Sequence, residues 1–302
     1  MTDQFTARNE VPLVTVVMPT YNRMPLIIEA INSVIAQTYT NWELIIIDDG
    51  STDGTHEAVK NINDERINLI SLSHTGNISD LRNTGVKHSR GEWIAFLDSD
   101  DIWFAEKLQL QMETLVKENK RWVYGLFEYV DKNKEIIYKS SERFIPFSGN
   151  IIKEVIMAKT GITICSVVLE KKLFNEIGGF SSNLKIKGDY EFLLRLALKA
   201  EAAITEKIIM LVRDHPNRTY RSVTYSYELS ASIYKSFINL RPGKQFEKLA
   251  RRRIAYFLSE ASVNRFSKGY YRIALQQLGQ SIWMGDRLRH WLSAVKRGLW
   301  NS

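Results

Sequence analysis

The 302-residue sequence contains a single cysteine, Cys165. One cysteine excludes an internal disulfide and fits a reducing compartment. No apolar run approaches the roughly 20 residues of a membrane-spanning helix. Residues 1–10 are polar and lack the apolar segment of a signal peptide. These absences predict a cytoplasmic protein, or one held peripherally at the inner face of the membrane.

A net excess of positive charge is absent from most of the chain and is confined to its C-terminal part. The formal net charge is +7. Residues 223–302 contain 14 Lys or Arg against 4 Asp or Glu, a net charge of +10, whereas residues 1–222 contain 27 against 30, a net charge of −3. The basic excess is therefore a property of the C-terminal part. No aromatic-rich basic sheet and no recognition motif accompany it, so we expect no nucleic-acid partner.

The first two thirds of the sequence alternate between apolar runs and helical periodicity. The runs that predict buried strands are Leu13–Met18, Glu43–Ile47, Ile67–Leu72 and Trp93–Leu97. Helical spacing follows Pro25, Thr52 and Ser79. This alternation predicts an α/β fold with a mostly parallel sheet and helices on both faces. Open sheets of this kind bind ligands beyond the carboxyl ends of their strands, where polar clusters occur here.

The second half of the sequence is less regular. The predicted strands are Trp122–Val130, Ile136–Lys139, Ile162–Leu169 and Ala203–Val212. The predicted helices are Lys171–Ile177, Asp189–Lys199, Arg253–Phe266, Tyr270–Met284 and Asp286–Trp300. We expect a short N-terminal segment (1–11), a main α/β domain (12–222) and a basic amphipathic helical extension (223–302).

Three carboxylates follow the strand predicted at Trp93–Leu97. Asp98, Asp100 and Asp101 come directly after this apolar run, with one residue between the first two. Carboxylates at the mouth of a buried strand are suitable oxygen ligands for a hard divalent cation. The alternative is a solvated turn, with Asp101 as the N-cap of a helix that begins near Trp103.

Several motifs together resemble the inverting glycosyltransferases of family 2, which have the GT-A fold. The resemblance covers roughly residues 12–215, and the motifs occur in the order of the family. They are Val17–Arg23, Ile47–Gly54, Arg82–Gly85, Gly91–Asp101, Gly178–Phe180 and Gly188–Arg195. The resemblance implies a GT-A domain followed by a C-terminal extension outside the match.

The resemblance implies a pocket for a nucleoside diphosphate sugar. It places Tyr21 against the base and Asp49 as acceptor for the N3–H of uracil, as suits an acceptor-only carboxylate. The alternative for Asp49 is a solvated residue beside Asp48 and Asp53, which would cap a helix. The nucleotide-binding residues implied are Pro19, Thr20, Tyr21, Asp49, Arg82, Asp98 and Ser99.

The resemblance also implies a metal site and a catalytic base. Asp100 would bind manganese or magnesium together with the donor's diphosphate, with Asp98 and His215 as further ligands. His215 could instead be an ordinary loop residue. Asp189 matches the catalytic base, although the acidic residue usual before it is replaced by Gly188. The alternative for Asp189 is the N-cap of its helix.

The C-terminal helix predicted at Asp286–Trp300 is amphipathic. Its apolar residues are Leu288, Trp291, Leu292, Val295 and Leu299, and its basic residues are Arg287, Arg289, Lys296 and Arg297. A basic amphipathic helix containing Trp suits an anionic membrane surface. It could equally pack on the rest of the protein.

The sequence as a whole indicates a metal-dependent inverting glycosyltransferase. The expected donor is a UDP- or dTDP-linked sugar, and the expected acceptor is a hydroxyl of a glycan or lipid-linked molecule in polysaccharide or cell-surface glycan synthesis. The alternatives are a non-catalytic nucleotide-sugar-binding protein and a sugar-phosphate nucleotidyltransferase. The second alternative lacks support, because Pro19–Asn22 stands where that class needs a glycine-rich basic loop.

Overall fold

The computed structural model describes residues 11–214 and 223–284. The chain divides into two compact units: Met1–Ile151 with Lys159–Asn217, and Ile152–Ala158 with Arg218–Ser302. The predicted boundary after residue 222 stays a prediction. The division into units adds one feature to it, since residues 152–158 join the second unit.

Within the described residues, the first unit contains a nine-stranded sheet. Its strands are β1 (Val14–Thr20), β2 (Trp42–Asp48), β3 (Ile67–Ser71), β4 (Trp93–Phe96), β5 (Ile102–Trp103), β6 (Trp122–Val130), β7 (Ile136–Lys139), β8 (Val168–Glu170) and β9 (Ala203–Arg213). Their order is β3-β2-β1-β4-β8-β6-β9-β5, with β7 paired to β6. The sheet is parallel from β3 to β4 and mixed beyond β4.

The helices described by the structure pack on this sheet or form the second unit. In the first unit they are α1 (Leu26–Ile35), α2 (Thr55–Lys60), α3 (Ile78–His88), α4 (Lys107–Glu118), α5 (Ser140–Arg143), α7 (Lys171–Glu176) and α8 (Gly188–Lys199). In the second unit they are α6 (Ile152–Ile156), α9 (Val223–Asn239), α10 (Lys244–Ser267) and α11 (Tyr271–Trp283). None of the described helices has the length and apolarity needed to cross a membrane.

The parallel strands bring three loops to one edge of the sheet. β1 lies between β2 and β4, in register Thr20↔Asp48 and Val17↔Phe96. Every residue of these three strands is buried. α3 packs closely on β1 because Gly85 has no side chain: a Cβ there would lie 2.3 Å from Val17 Cγ1. The carboxyl ends of β1, β2 and β4 therefore lie side by side, as the sequence predicted.

At the amino ends of these strands, the buried carboxylate of Glu43 joins neighbouring segments by hydrogen bonds. Glu43 Oε1 accepts from Thr15 Oγ1 at 2.6 Å and from the backbone N–H of Arg90 at 2.6 Å. Its Oε2 accepts from Arg90 Nε at 2.8 Å. Burial alone would raise the pKa of Glu43, but these hydrogen bonds from Thr15 and Arg90 lower it below its ordinary 4.5. Glu43 therefore ties β1, β2 and the turn before β4 together as an ionised group.

Three sequence-based expectations differ from the structure. The helix expected near Trp103 begins at Lys107, because residues 102–103 form β5 and pair with β9. The strand expected at Ile162–Leu169 is a 3₁₀ turn (Ile164–Ser166) followed by the short β8. In the predicted helical extension, α9 was not predicted as a separate helix, and α10 begins nine residues before the predicted Arg253.

The second unit is helical in its described residues. Tyr234 of α9 donates to the carbonyl of Ile156 in α6 at 2.7 Å. Arg265 of α10 pairs with Glu228 of α9 at 2.9 Å. The helix predicted at Asp286–Trp300 lies outside the described residues.

Candidate active site

The first two loops at the carboxyl edge are joined by side-chain hydrogen bonds. Asn22 follows β1, and its backbone N–H donates to Ser51 Oγ at 2.9 Å. Its side-chain Oδ1 accepts from the backbone N–H of Thr52 at 2.8 Å. The backbone N–H of Arg23 donates to Thr55 Oγ1 at 3.0 Å. These contacts fix the loop after β1 against the loop after β2.

Asp49 is buried beneath the loop that leads from β3 to α3. Its Oδ1 accepts from the backbone N–H of Thr75 at 2.8 Å, and its Oδ2 accepts from the backbone N–H of Gly76 at 2.8 Å. His74 Nδ1 lies 2.9 Å from the same Oδ2. The Asp49 side chain is only 2% exposed. The solvated alternative for Asp49 is therefore wrong. The hydrogen bond between Asp49 and a nucleotide base stays a prediction, and it requires loop 74–76 to move away from part of the Asp49 carboxylate.

Tyr21 is already stacked on a neighbouring ring. Its centroid lies 4.0 Å from that of His74, with 23° between the planes. Tyr21 remains 39% exposed, which leaves part of its surface for another planar group. Pro19 and Thr20 are buried, and Thr20 Oγ1 has no hydrogen-bond partner among the described residues. His74 and loop 74–76 were missed from the sequence.

Arg82 and Asp98 form an ion pair at the end of β4. Arg82 Nη2 donates to Asp98 Oδ1 at 2.7 Å. The Arg82 side chain is 4% exposed and that of Asp98 is 31% exposed. Burial alone would lower the pKa of Arg82, but the carboxylates of Asp98 and Asp189 raise it above its ordinary value. Arg82 is therefore a fixed positive charge behind a carboxylate that faces outward.

The other carboxylates after β4 contact basic residues. Asp100 Oδ2 lies 3.4 Å from Arg23 Nε. Asp101 is buried and accepts from the backbone N–H of Arg213 at 3.1 Å. Arg213 Nε also donates to the backbone carbonyl of Asp100. Asp101 thus holds this turn against β9 and is not the cap of a helix, so that alternative is wrong.

Some of the side chains near the end of β4 are suitable ligands for a hard divalent cation, and one is not. Among the described residues, ligand atoms of Asp98, Asp101 and Cys165 lie within 4.8 Å of one another. Cys165 is fully buried, and burial raises the pKa of its thiol well above the ordinary value. A protonated thiol is a poor ligand for manganese or magnesium, which prefer oxygen. Asp100 is not part of this group, so its pairing with Asp98 as metal ligands stays a prediction. Both residues carry the oxygen donors that such an ion prefers, and Ser99 between them is buried. His215 lies outside the described residues.

Asp189 lies in the first turn of α8. The N-cap of α8 is Lys187, in the left-handed conformation with φ 58°, so the alternative that made Asp189 the cap is wrong. Asp189 is half-buried. Its charge contributes to the raised pKa of Arg82. The predicted base therefore lies near the Arg82–Asp98 pair.

The segment before Asp189 is held by side chains of α3. Asn83 Nδ2 donates to the carbonyl of Phe180 at 2.8 Å, and Asn83 Oδ1 accepts from the N–H of Phe180 at 2.9 Å. Asn77 Nδ2 donates to the carbonyl of Ser182 at 2.8 Å. Ser79 Oγ donates to the carbonyl of Leu184 at 2.9 Å. We call Asn77, Ser79 and Asn83 the α3 clamp.

The α3 clamp explains the glycine before the predicted base. A Cβ on Gly188 would lie 2.4 Å from Ser79 Oγ, so any larger residue at 188 would displace the Ser79 hydroxyl from its hydrogen bond to Leu184. On the other side of the segment, Arg195 Nη2 donates to the carbonyl of Gly179 at 2.7 Å. The clamp was missed from the sequence, because its hydrogen bonds join residues about a hundred positions apart.

The carboxyl ends of the parallel strands carry the buried acceptor Asp49, the aromatic ring of Tyr21, the Arg82–Asp98 ion pair and the carboxylate of Asp100. The carboxylate of Asp189 comes from helix α8. Residues 15–183 match the model of glycosyl transferase family 2. This match covers more than half of the chain, and the protein belongs to that family: it is a glycosyltransferase with the GT-A fold.

A relative in Escherichia coli is a UDP-Glc:alpha-D-GlcNAc-diphosphoundecaprenol beta-1,3-glucosyltransferase, 36% identical over 184 residues. The match covers 61% of this chain and 69% of that protein. An uncharacterised glycosyltransferase of Rickettsia felis is 30% identical over 232 residues, which are 76% of this chain. The chain spans only 38% of the length of this second relative.

Solved structures share the fold. TarS 1-349 of S. aureus in complex with UDP-GlcNAc has a TM-score of 0.69 at 22% identity, over 91% of this chain and 82% of that one. The mannosyltransferase PcManGT of Pyrobaculum calidifontis, in complex with GDP-Man and Mn²⁺, has a TM-score of 0.58 at 18% identity, over 97% and 89% of the two chains.

Proposed function

We propose that this protein is a metal-dependent inverting glycosyltransferase. It transfers a sugar from a UDP- or dTDP-linked donor to a hydroxyl of a glycan or lipid-linked acceptor, in polysaccharide or cell-surface glycan synthesis. The observation that carries the proposal is the convergence of Asp49, the Arg82–Asp98 pair, Asp100 and Asp189 at one edge of the sheet. The E. coli relative's UDP-sugar donor and lipid-linked acceptor support the choice of substrates.

The nucleotide would bind at the ends of β1 and β2. Asp49 has two carboxylate oxygens with about four acceptor positions, and it uses Oδ1 for Thr75 and Oδ2 for Gly76. A base that presents an N–H donor would take a remaining position, while Tyr21 offers its exposed ring surface to the base. Uracil and thymine present such a donor. Guanine presents one as well. Adenine has no ring N–H on its pairing edge, so an adenine nucleotide should bind more weakly.

The diphosphate would bind beside Asp98 and Asp100. These carboxylates would hold a manganese or magnesium ion, which neutralises the charge that develops on the departing nucleoside diphosphate. Arg82 fixes Asp98 through a 2.7 Å hydrogen bond, and Arg23 lies beside Asp100. The protein therefore supplies both the ligands and the groups that orient them.

Asp189 would act as the general base. It would take the proton from the acceptor hydroxyl while that oxygen attacks the anomeric carbon of the donor sugar. The new C–O bond forms on the face opposite the leaving diphosphate, so the anomeric configuration inverts. The α3 clamp and Arg195 hold the segment before Asp189, which fixes the base relative to the sheet edge.

We also propose that residues 286–302 contact the membrane through charge, at its inner face. Arg287, Arg289, Lys296 and Arg297 are near the C-terminus, and a basic segment is attracted to anionic lipid. A lipid-linked acceptor would then be reached from the membrane surface.

The proposal is tested by the thermal stability of the protein with nucleotides. UDP, dTDP and ADP would each be added with and without Mn²⁺, since a bound ligand raises the melting temperature by mass action. UDP and dTDP with Mn²⁺ should stabilise the native protein most. Asp100→Ala should lose the Mn²⁺-dependent part of the shift. The matched control, Asp64→Ala, removes a carboxylate that pairs with Arg66 away from the site and should keep it. Equal stabilisation by ADP, or the same shift in chelator, would contradict the proposal.

A further inference from the structure

The side chain of His74 makes the same pair of contacts that the proposed function assigns to a nucleotide base. Its ring stacks on Tyr21, with 4.0 Å between the centroids and 23° between the planes. Its Nδ1 lies 2.9 Å from Asp49 Oδ2. A planar ring is therefore already placed on the aromatic side chain and against the carboxylate that the base would use.

The second contact of the His74 ring fixes which nitrogen carries a proton. Nδ1 also lies 3.0 Å from the backbone carbonyl oxygen of Asp49. A carbonyl oxygen can only accept a hydrogen bond, so Nδ1 must be the donor. His74 thus presents a ring N–H to Asp49, and a ring N–H is also what uracil and thymine would present.

The acceptor positions of Asp49 are divided among donors of loop 74–76. Oδ1 accepts from the backbone N–H of Thr75 at 2.8 Å and from its hydroxyl at 3.1 Å. Oδ2 accepts from the backbone N–H of Gly76 at 2.8 Å and faces His74 Nδ1. These four contacts match the roughly four acceptor positions of a carboxylate. The positions that the backbone leaves are therefore taken by side chains, and a base reaches one of them only if a side chain leaves.

His74 is the side chain best able to leave. It is 48% exposed, whereas the Thr75 hydroxyl is also held by the backbone N–H of Asn77, which donates to it at 3.2 Å. The backbone of His74 stays in place, because it packs closely on Gly50: a Cβ there would lie 3.1 Å from the His74 nitrogen. Rotation of the His74 side chain into solvent would free the aromatic face and one position on the carboxylate together.

We propose that His74 is an internal substitute for the base, which closes the base pocket of the free enzyme and must swing out before a nucleotide binds. The inference rests on the proposed function, since it takes Tyr21 and Asp49 as the base contacts. Nucleotide binding then exchanges one stacked ring for another. His74 must leave whichever base enters, so it lowers the affinity for every base by the same factor. Asp49 sets the preference between bases, and His74 sets how tightly any of them binds.

The proposal is tested by calorimetry on the full-length protein with Mn²⁺ and three ligands: UDP, CDP and inorganic pyrophosphate. In His74→Ala the affinities for UDP and CDP should both rise by roughly threefold to tenfold, the gain expected when one competing internal contact is removed. Their ratio should stay that of the native protein. The affinity for pyrophosphate, which has no base, should not change, and this also shows that the variant is folded.

Two further variants separate the contacts of the His74 ring. His74→Phe keeps a ring for Tyr21 but has no N–H for Asp49, so its affinity for UDP should fall between those of the native protein and His74→Ala. His88→Ala is the matched control, because His88 Nδ1 also contacts a backbone carbonyl, that of Thr84, at 2.9 Å. It should bind all three ligands as the native protein does.

The position of the His74 ring is measured separately by NMR of protein with labelled histidine. The sequence contains five histidines, and the His74 signal is the one that His74→Ala lacks. The ring current of Tyr21 should shift this signal in the free protein. UDP should move it to the position of an exposed histidine, whereas pyrophosphate should leave it where it is.

The possible failures of the proposal and of the proposed function are distinct. If the native protein prefers UDP to CDP but His74→Ala binds UDP no more tightly, His74 does not compete with the base, and the proposed function stands. A His74 signal that saturating UDP does not move would overturn the proposal in the same way. If UDP, CDP and pyrophosphate all bind the native protein equally, the base pocket itself is wrong, and the choice of donor in the proposed function fails with it.

Discussion

At the scale of single residues, the site is defined by which carboxylates are buried and which are left accessible. Asp49 and Asp101 are buried and hold backbone N–H groups of other segments. Asp98 and Asp189 keep part of their surface exposed. Asp101 therefore only holds the turn after β4 against β9, whereas Asp49 holds loop 74–76 and also has acceptor positions, not used by the backbone of that loop, for the proposed contact with a base. Asp98 and Asp189 are the accessible candidates for contact with the rest of the donor and with the acceptor.

The first residue-scale prediction concerns Asp189. Asparagine has nearly the same size but cannot take a proton, so Asp189→Asn should lower turnover by roughly a hundredfold or more, the scale expected for a lost general base. The variant should keep its melting temperature and its affinity for UDP, because Asp189 is not the cap of α8. Turnover would be measured alongside nucleotide binding by calorimetry. Asp189→Glu is the matched control and should recover part of the activity. Near-native turnover of Asp189→Asn would remove the base assignment.

At the scale of secondary structure elements, α3 determines where the predicted base lies. The α3 clamp holds residues 180–184, and Gly188 begins α8 against Ser79. Because Ser79 contacts both Leu184 and Gly188, a substitution at Ser79 should change the stability effect of a substitution at residue 188, although the two residues are far apart in sequence.

This coupling is tested by a double-mutant cycle. Gly188→Ala should lower the free energy of unfolding by roughly 1–3 kcal/mol, because its Cβ meets Ser79 Oγ. Ser79→Ala should cost about 1 kcal/mol for the lost hydrogen bond to Leu184. The double variant should cost less than the sum, by about 0.5 kcal/mol or more, since Ser79 Cβ is 3.8 Å from the added Cβ. Additive losses measured by urea denaturation would show that the two residues are not coupled in this way.

A second element-scale prediction concerns Glu43. Its pKa is lowered in the folded state, so the stability it contributes is full above its ordinary pKa and is lost as the pH falls through the lowered value. Glu43→Gln should cost roughly 1–3 kcal/mol at pH 7, because the amide cannot accept as many hydrogen bonds. The native protein should lose more stability than the variant between pH 5 and pH 3. Glu118→Gln, on the exposed end of α4, should follow the native pH profile. Parallel pH profiles of the native protein and Glu43→Gln would contradict the role of this carboxylate.

Much of the parallel part of the sheet could be predicted because its strands are continuous apolar runs between turn signals. β1, β2 and β4 were located to within one or two residues. α9 could not be predicted, because Val223–Asn239 is rich in serine, tyrosine and β-branched residues of weak helix propensity. Tertiary packing of Tyr234 and Phe237, which are buried, stabilises it instead.

The candidate site was predictable in its residue types but less so in its connections. The motifs located Asp49, Arg82, Asp98 and Asp189. The contacts of Asp49 with Thr75 and Gly76 and the α3 clamp depend on how distant segments meet in the fold. A sequence pattern reports local spacing, so it indicates which side chains are available but not which neighbours they are bonded to.

At the scale of the whole molecule, the predicted α/β domain and the predicted C-terminal extension differ in net charge. The residues up to 222 carry a net charge of −3 and contain the site, whereas residues 223–302 carry +10. The proposed catalysis and the proposed contact with an anionic surface therefore belong to different parts of the chain. Changes in the basic C-terminal residues should alter where the enzyme acts more than how it transfers a sugar.

The most direct test of the central claim is the anomeric configuration of the product. The full-length protein would be given a UDP-sugar of α configuration, Mn²⁺ and an acceptor with a free hydroxyl, and the product would be examined by proton NMR. Direct displacement with Asp189 as base predicts a β-linked product, with a large coupling constant at the anomeric proton for a gluco-configured sugar. An α-linked product would contradict the account, because one displacement cannot preserve the configuration of the donor.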